Sequence, residues 1–217
     1  TDDEIRLIDR VILSGMGTSL HSCMYGAQMI EAVTGIPAQA ENASELRYRS
    51  TSLNERTLMV SVTQSGETAD TLAAMELATE SGAKQIALVE AECTQATLVA
   101  DGTLYLGAGQ EIGVASTKTM MCSLTVLYQL AVYLGIHRGT LSAKRAIKLV
   151  SDLSRLPGLI AEMIDDDGHC EQLAHDRLVD KRHLLYLGRG ALHPMAMEGA
   201  LKMKELAYIH AEGYPAG

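Results

Sequence analysis

Leu58-Met59-Val60-Ser61-Val62-Thr63-Gln64-Ser65-Gly66-Glu67-Thr68 is the stretch of sequence that decides the fold. Its first five residues are mainly apolar and β-branched, as expected for a parallel strand that is buried on both faces. Apolar residues then recur with helical spacing over Glu67–Ser81, and Gly82 ends that predicted helix. A buried strand, a short loop and a helix form the repeating unit of a parallel α/β sheet.

The same unit recurs on both sides of this stretch. The other strands predicted in this region are Val11–Ser14, Ile36–Ala40, Gln85–Val89 and Thr103–Leu106. The other predicted helices are Thr18–Val33, Asn42–Arg49 and Ser116–Ile136. The alternation predicts an α/β fold for residues 1–140, a three-layer α/β/α sandwich with a parallel sheet and right-handed crossovers.

The pattern changes in the last third of the chain. Residues 141–173 predict connecting helices, interrupted at Pro157-Gly158. A strand is predicted at His183–Leu187 and a helix at Met195–Tyr208, which together make a second strand–turn–helix start. We expect residues 174–217 to be the beginning of a second α/β domain that is truncated, because one strand cannot form a sheet.

The composition excludes several classes of protein. Apolar residues make up 47% of the 217 residues and charged residues 21%, which is typical of a globular chain. A net charge of −9, with neither Phe nor Trp, argues against nucleic-acid binding. The acidic N-terminus does not resemble a signal peptide, and the four Cys show no paired spacing. The apolar run Met120–Ile136 contains polar residues, so we predict a core helix and no membrane span. Cys without paired spacing are typical of reduced thiols, so we also predict a cytoplasmic protein.

Two hydroxyl-rich loops follow predicted strands and open predicted helices. In Thr63–Thr68, hydroxyls surround Gly66 at a helix start, where free N–H groups and the helix dipole suit a phosphate. The same residues also fit a simple capping turn, and both interpretations stay open. Gly15–Ser19 begins like a dinucleotide fingerprint, but Leu20 replaces its third Gly. Glu41 stands where a ribose-binding acid would lie, so nucleotide binding also stays open.

The stretch Glu111–Lys118 leads into the long apolar helix. Lys118 falls in the first helical turn, where its positive charge opposes the helix dipole. Such a locally poor choice indicates compensation nearby. A nearby carboxylate or a bound anion would supply this compensation, and a pair with Glu111 fits the sequence equally well.

A charged stripe is predicted on the helix Met195–Tyr208. Glu198, Lys202 and Glu205 are spaced by four and three residues, which places all three on one side of a helix. An exposed ion pair is the commoner meaning of this spacing. A Glu that transfers a proton beside a Lys is the functional alternative.

Three long motifs resemble one enzyme family. They are Thr63-Gln64-Ser65-Gly66-Glu67-Thr68-Ala69-Asp70-Thr71-Leu72, Glu111–Lys118, and Glu198-Gly199-Ala200-Leu201-Lys202-Met203-Lys204-Glu205, and Ala43–Arg49 and His210-Ala211-Glu212 agree with them. They are similar to the isomerase part of the glucosamine-6-phosphate synthase family, the isomerising glutamine–fructose-6-phosphate aminotransferases. The resemblance covers nearly the whole chain. It implies two sugar-isomerase (SIS) domains, the first complete and the second beginning at residue 174. It also implies formation of glucosamine 6-phosphate from fructose 6-phosphate and glutamine-derived ammonia.

The same resemblance implies the residues of the site. Its substrate-binding positions are Thr18, Ser19, Thr63, Gln64, Ser65, Thr68, Val114 and Ser116. Among the catalytic positions, Glu205 is the base that moves a proton between two sugar carbons, Lys202 stabilises charge beside it, and Glu198 orders Lys202. No cofactor and no metal are implied. The implied partners are fructose 6-phosphate or glucosamine 6-phosphate, a second copy of the chain in a homodimer, and a glutaminase domain in the full-length protein.

The chain departs from the family pattern in what it lacks. The family's ring-opening His, its imine-forming Lys and its glutaminase domain fall outside the 217 residues, so we expect the fragment to be inactive alone. Two alternatives stay open, a non-catalytic SIS module that senses a sugar phosphate and a different phosphosugar isomerase. The sensing module explains the loop Thr63–Thr68 but not the charged stripe. The other isomerase does not require the match over Glu111–Lys118.

Overall fold

The computed structural model describes residues 1–49, 52–165 and 168–217, which form two compact units. Unit 1 is Thr1–Leu141 and unit 2 is Ser142–Gly217. The strands are β1 (Arg10–Gly15), β2 (Ala38–Asn42), β3 (Thr57–Val62), β4 (Lys84–Val89), β5 (Gly102–Tyr105), β6 (His183–Gly188) and β7 (His210–Pro215). The α-helices are α1 (Asp2–Leu7), α2 (Thr18–Thr34), α3 (Ala43–Leu46), α4 (Ala69–Glu80), α5 (Gln95–Val99), α6 (Lys118–His137), α7 (Ala143–Leu153), α8 (Leu156–Asp165), α9 (Gly168–Leu173) and α10 (Leu192–Leu206). A π-helical segment, Ala174–Leu178, follows α9.

Unit 1 contains a five-stranded sheet in the order β2-β1-β3-β4-β5, and every neighbouring pair is parallel. All six residues of β3 are buried, which confirms the prediction from its apolar sequence. The chain moves from β1 to β2 on one side and then to β3 on the other. The order therefore reverses between β1 and β3, and ligands bind at the carboxyl ends of such strands.

Helices cover both faces of this sheet, which confirms the predicted α/β sandwich. On one face Leu13 of β1 packs with Ile30 of α2 and Leu127 of α6 in the largest hydrophobic cluster. On the opposite face Ile12 and Met59 pack with buried residues of α3 and α4. Alternate strand residues thus point to opposite helical layers.

The apolar run predicted as a core helix is α6. It is long and apolar enough to cross a membrane by length and composition, but half of its most apolar window is buried inside the structure. Leu127, Leu130 and Leu134 belong to the hydrophobic cluster that α6 shares with α2 and the sheet. The prediction of a core helix at this position is confirmed.

Unit 2 contains a two-stranded parallel sheet, in which β6 and β7 pair from His183–His210 to Gly188–Pro215. Helix α10 connects the two strands. The sequence pattern predicted β6 but not β7, so the expectation of one lone strand is wrong. Gly213 allows the close approach of β7 to α10, because a Cβ there would lie 2.6 Å from the Met197 Cα.

Three other elements differ from the sequence-based expectation. The predicted break at Pro157-Gly158 is present but falls slightly earlier, between the end of α7 at Leu153 and the start of α8 at Leu156. Pro157 itself lies in the first turn of α8, where proline is tolerated because the missing N–H has no helical partner. Helices α1 and α5 were not predicted. The first of them has a recognisable signal, since Thr1 and Glu4 form a capping box.

Candidate functional site

A polar cavity of about 210 Å³ lies in unit 1 at the carboxyl ends of β1 and β3. The residues that line it are Met16, Thr18, Ser19, Val62, Thr63, Gln64, Ser65, Thr68, Thr71 and Ser116. Seven of the eight substrate-binding positions implied by the resemblance are therefore brought together. Val114 is not among the lining residues, and as a residue it is 95% exposed. Among the described residues that line the cavity, none is acidic, so the wall places no carboxylate against an anion.

The loop Thr63–Thr68 forms the floor of this cavity by local hydrogen bonds. The hydroxyls of Thr63 and Thr68 lie 3.0 Å apart, and the Glu67 amide donates to the Ser65 hydroxyl at 3.2 Å. Thr68 is the N-cap of α4, but its side chain makes no capping hydrogen bond. The first amides of α4 also lack partners within the helix. The geometry therefore favours anion binding over the simple capping turn.

The loop Gly15–Ser19 supplies the second wall. Gly17, which precedes α2, has φ +52°, and no side chain caps that helix. Glu41, the candidate ribose-binding acid, forms two hydrogen bonds with Arg49 at 2.9 and 3.0 Å. With that carboxylate engaged by a guanidinium, the nucleotide interpretation loses its best polar contact.

The N-terminus of α6 is occupied by the carboxylate of Glu111. This side chain accepts hydrogen bonds from the amides of Thr117, Lys118 and Thr119 at 3.1–3.3 Å. It also accepts from the hydroxyls of Thr117, at 2.8 Å, and Thr119. The Lys118 ammonium donates to the Gln110 carbonyl at 2.5 Å. Glu111 is thus the nearby carboxylate expected at this helix start, and it acts through the backbone amides of α6 while the Lys118 ammonium binds the Gln110 carbonyl.

These contacts set the acidity of Glu111. Partial burial alone would raise its pKa, but the hydrogen bonds from Thr119 and Thr117 together outweigh this and lower the pKa from 4.5 to about 2. A carboxyl whose pKa falls on folding stabilises the folded state above its unfolded pKa. That contribution is lost as the pH falls from about 5 towards 2.

Replacing Glu111 with Gln is expected to lower the free energy of unfolding at pH 7 by about 1–2 kcal/mol, with solvent screening taken into account. The loss should shrink as the pH falls from about 5 to 2. In that range Glu111 of the unmutated chain becomes protonated when the chain unfolds, so its carboxylate stabilises the folded state less. Urea unfolding at several pH values measures this. The exposed Glu92→Gln is the control, and an equal pH profile in the two variants would contradict the assignment.

The charged stripe predicted in unit 2 exists, and it is more buried than an ordinary surface ion pair. The Lys202 Nζ lies 3.3 Å from a Glu198 carboxylate oxygen and 2.6 Å from one of Glu205. The side chain of Glu198 is 8% exposed, that of Lys202 19% and that of Glu205 37%. A single ammonium therefore joins a buried carboxylate to one that solvent and ligands can reach.

Two hydroxyls near the unit 1 cavity, those of Thr71 and Thr119, were not predicted from the sequence. Thr71 lines the cavity wall and is 1% exposed, and it lies one helical turn after Thr68 on the same side of α4. Thr119, 2% exposed, contacts both Glu111 and the Ser116 hydroxyl, the latter at 2.5 Å. The helical spacing from Thr68 could have identified Thr71. The bond from Thr119 to Glu111 depends on the conformation of the loop between Glu111 and α6, which no sequence pattern predicts.

Comparison with known proteins bears on the fold and the family of the chain. A model of the SIS domain matches residues 4–133 and 177–217. The glutamine–fructose-6-phosphate aminotransferases (isomerizing) of Thermococcus kodakarensis and Pseudomonas putida are each 46% identical to the chain, over 99% and 97% of its length. The chain spans about a third of these curated relatives, 36% and 34% respectively. The C-terminal domain of glucosamine-fructose-6-phosphate aminotransferase from Francisella tularensis superposes with a TM-score of 0.95 at 32% identity, over 99% of this chain and 60% of that one.

Proposed function

The chain belongs to the SIS domain family, and we propose that it is the isomerase region of a glutamine–fructose-6-phosphate aminotransferase. In this proposal it binds fructose 6-phosphate and takes part in its conversion, with glutamine-derived ammonia, into glucosamine 6-phosphate. The single observation that carries the proposal is the unit 1 cavity, with its hydroxyl lining and its uncapped helix start at the switch point of the sheet.

The cavity suits a phosphate because of its local hydrogen-bond donors and not because of the net charge of the chain. The chain carries −9 overall, so long-range attraction does not bring an anion to it. Hydroxyls and the dipole of α4 act locally instead, and they need no basic side chain. We assign the phosphate to Ser19 and to Thr63, Gln64, Ser65 and Thr68, and the sugar to Thr18, Val114 and Ser116.

The charged stripe is assigned the chemical step. Glu205 moves a proton between two sugar carbons, Lys202 stabilises the charge that develops on the sugar oxygen, and Glu198 holds Lys202 in place. The buried position of Glu198 and the accessible position of Glu205 support this division of roles. A homodimer, a glutaminase domain, a cytoplasmic location and a second SIS domain that begins near residue 174 belong to the same proposal.

Replacing Ser65 with Ala is expected to weaken fructose 6-phosphate binding by about tenfold, the effect of losing one hydrogen bond to a charged group. Calorimetric titration of the 217-residue chain measures the affinity. Ser81→Ala is the matched control, because Ser81 lies at the opposite end of α4 and bonds the Leu77 carbonyl. Equal affinities in the native chain and Ser65→Ala would remove Ser65 from the phosphate site.

The proposed enzymatic activity can be tested in a hybrid protein. The chain replaces the corresponding segment of the Pseudomonas putida aminotransferase, to which it is 46% identical, and glucosamine 6-phosphate formation is assayed. Product formation well above that of the relative with its segment deleted is expected. A hybrid that folds and binds fructose 6-phosphate without forming product would instead favour a sugar-phosphate-sensing module.

A further inference from the structure

The two ends of the unit 1 cavity differ in the hydrogen bonds they offer. At the α4 end, uncapped helix amides supply donors, which attract phosphate oxygens. At the α6 end, the wall is formed by Ser116, whose hydroxyl oxygen lies 2.5 Å from that of Thr119. The buried Thr119 in turn binds the Glu111 carboxylate.

The hydrogen bonds that link Ser116, Thr119 and Glu111 run in one direction, which follows from the number of protons that each group can donate. An ionised carboxylate accepts hydrogen bonds and donates none, and a threonine hydroxyl has one proton to give. The Thr119 proton goes to Glu111, and the low pKa of that carboxyl keeps it ionised at neutral pH. Thr119 must then accept the proton of Ser116, which leaves the lone pairs of Ser116 available to the cavity.

We propose that Glu111, acting through Thr119, is a positioning residue that makes Ser116 a hydrogen-bond acceptor, so that this end of the cavity selects a ligand group carrying a proton. This inference rests on the proposed function and assigns a polarity to its sugar site. A sugar hydroxyl donates to Ser116 and is accepted, whereas a phosphate oxygen faces a lone pair and is rejected.

The occupied terminus of α6 acts in the same direction. Three of its amides already bind the Glu111 carboxylate, so this helix start does not attract a second anion. Of the helix starts at the cavity, those of α4 and α2 remain for the phosphate, and the ligand lies in the cavity with its sugar end towards α6. Glu111 thereby separates a phosphate site from a sugar site within one continuous cavity.

Thr119→Val tests the hydrogen-bonded link from Glu111 through Thr119 to Ser116, because valine keeps the shape of the side chain and removes the hydroxyl. The affinity of the 217-residue chain for fructose 6-phosphate should fall about fivefold to tenfold, while that for inorganic phosphate stays within about twofold. Thr119→Ser restores the hydroxyl and should restore the affinity. Thr117→Val is the matched control, since it removes the other hydroxyl bound to Glu111 without touching Ser116.

Ser116→Ala provides a second test that does not depend on a buried position. It should weaken fructose 6-phosphate binding as much as Thr119→Val does, and the double variant should be no weaker than either single one. If both variants bind fructose 6-phosphate as the native chain does, or lose both ligands equally, the inference is overturned while the proposed function stands. If the native chain binds fructose 6-phosphate no better than inorganic phosphate, the proposed function fails and the inference fails with it.

Discussion

Replacing Gly66 with Ala is expected to lower the free energy of unfolding by about 2–4 kcal/mol and to abolish sugar-phosphate binding. Gly66 has φ +68°, in the left-handed region that side chains disfavour. A Cβ at this position would lie 2.1 Å from the Thr94 hydroxyl oxygen and 2.5 Å from its Cβ. The neighbour cannot move aside easily, because Thr94 is buried and the Gly66 carbonyl accepts a bond from the Ala96 amide.

A second glycine separates the two causes of that loss. Gly82 has φ +73° but nothing within 4 Å of an added Cβ, so Gly82→Ala should cost only the backbone strain, about 1 kcal/mol. Urea unfolding compares the two variants, and calorimetry with fructose 6-phosphate follows binding. Equal losses of stability would mean that the contact with Thr94 is relieved. Unchanged binding in Gly66→Ala would show that the loop conformation is not needed for the ligand.

Local pattern was enough to predict the sheet of unit 1 and the position of its cavity. The run Leu58–Val62 has few polar side chains, and Thr63-Gln64-Ser65-Gly66 follows it. An apolar run of this length that ends in hydroxyls and a glycine is typical of a buried strand with a loop at its end. Because carboxyl ends of adjacent parallel strands meet at one edge, Ser19 and Ser65 could be expected to line one cavity. The structure brings them together there.

Tertiary contacts decide what the sequence did not reveal. Strand β7 reads His210-Ala211-Glu212-Gly213-Tyr214-Pro215, and only Ala211 is buried, so it carries no apolar pattern. Pairing with β6 and the close approach of Gly213 to α10 make it a strand. Glu111 is similar, since its charge suggested a pair with Lys118 whereas the loop directs it to backbone amides.

The spacing of the charged stripe was predictable and its burial was not. Helical periodicity places Glu198, Lys202 and Glu205 on one side of α10 whatever surrounds them. Whether such a stripe is a surface ion pair depends on how deeply the helix packs. Glu198 is 6% exposed as a residue, so its carboxylate is taken from water and requires the Lys202 ammonium.

Glu205→Gln is expected to reduce glucosamine 6-phosphate formation by about 10²–10⁴-fold in the hybrid with the Pseudomonas putida relative, the range lost with a general base. Glutamine keeps the shape of the side chain and can still contact Lys202, but it cannot take up a proton at neutral pH. The Lys202 Nζ lies 2.6 Å from the Glu205 carboxylate, which positions the charge beside the group that reacts. The KM for fructose 6-phosphate should change little, because binding is assigned to the unit 1 cavity.

Glu198→Gln is the informative comparison, since it changes the other carboxylate that contacts Lys202. If Glu198 only holds Lys202, its loss should cost about tenfold in kcat, well below the cost of removing the base itself. Full activity in Glu205→Gln together with an inactive Glu198→Gln would transfer the proton step to Glu198. That result would require the buried carboxylate to reach the sugar. The 8% exposure of Glu198, against 37% for Glu205, is the physical reason to expect the opposite.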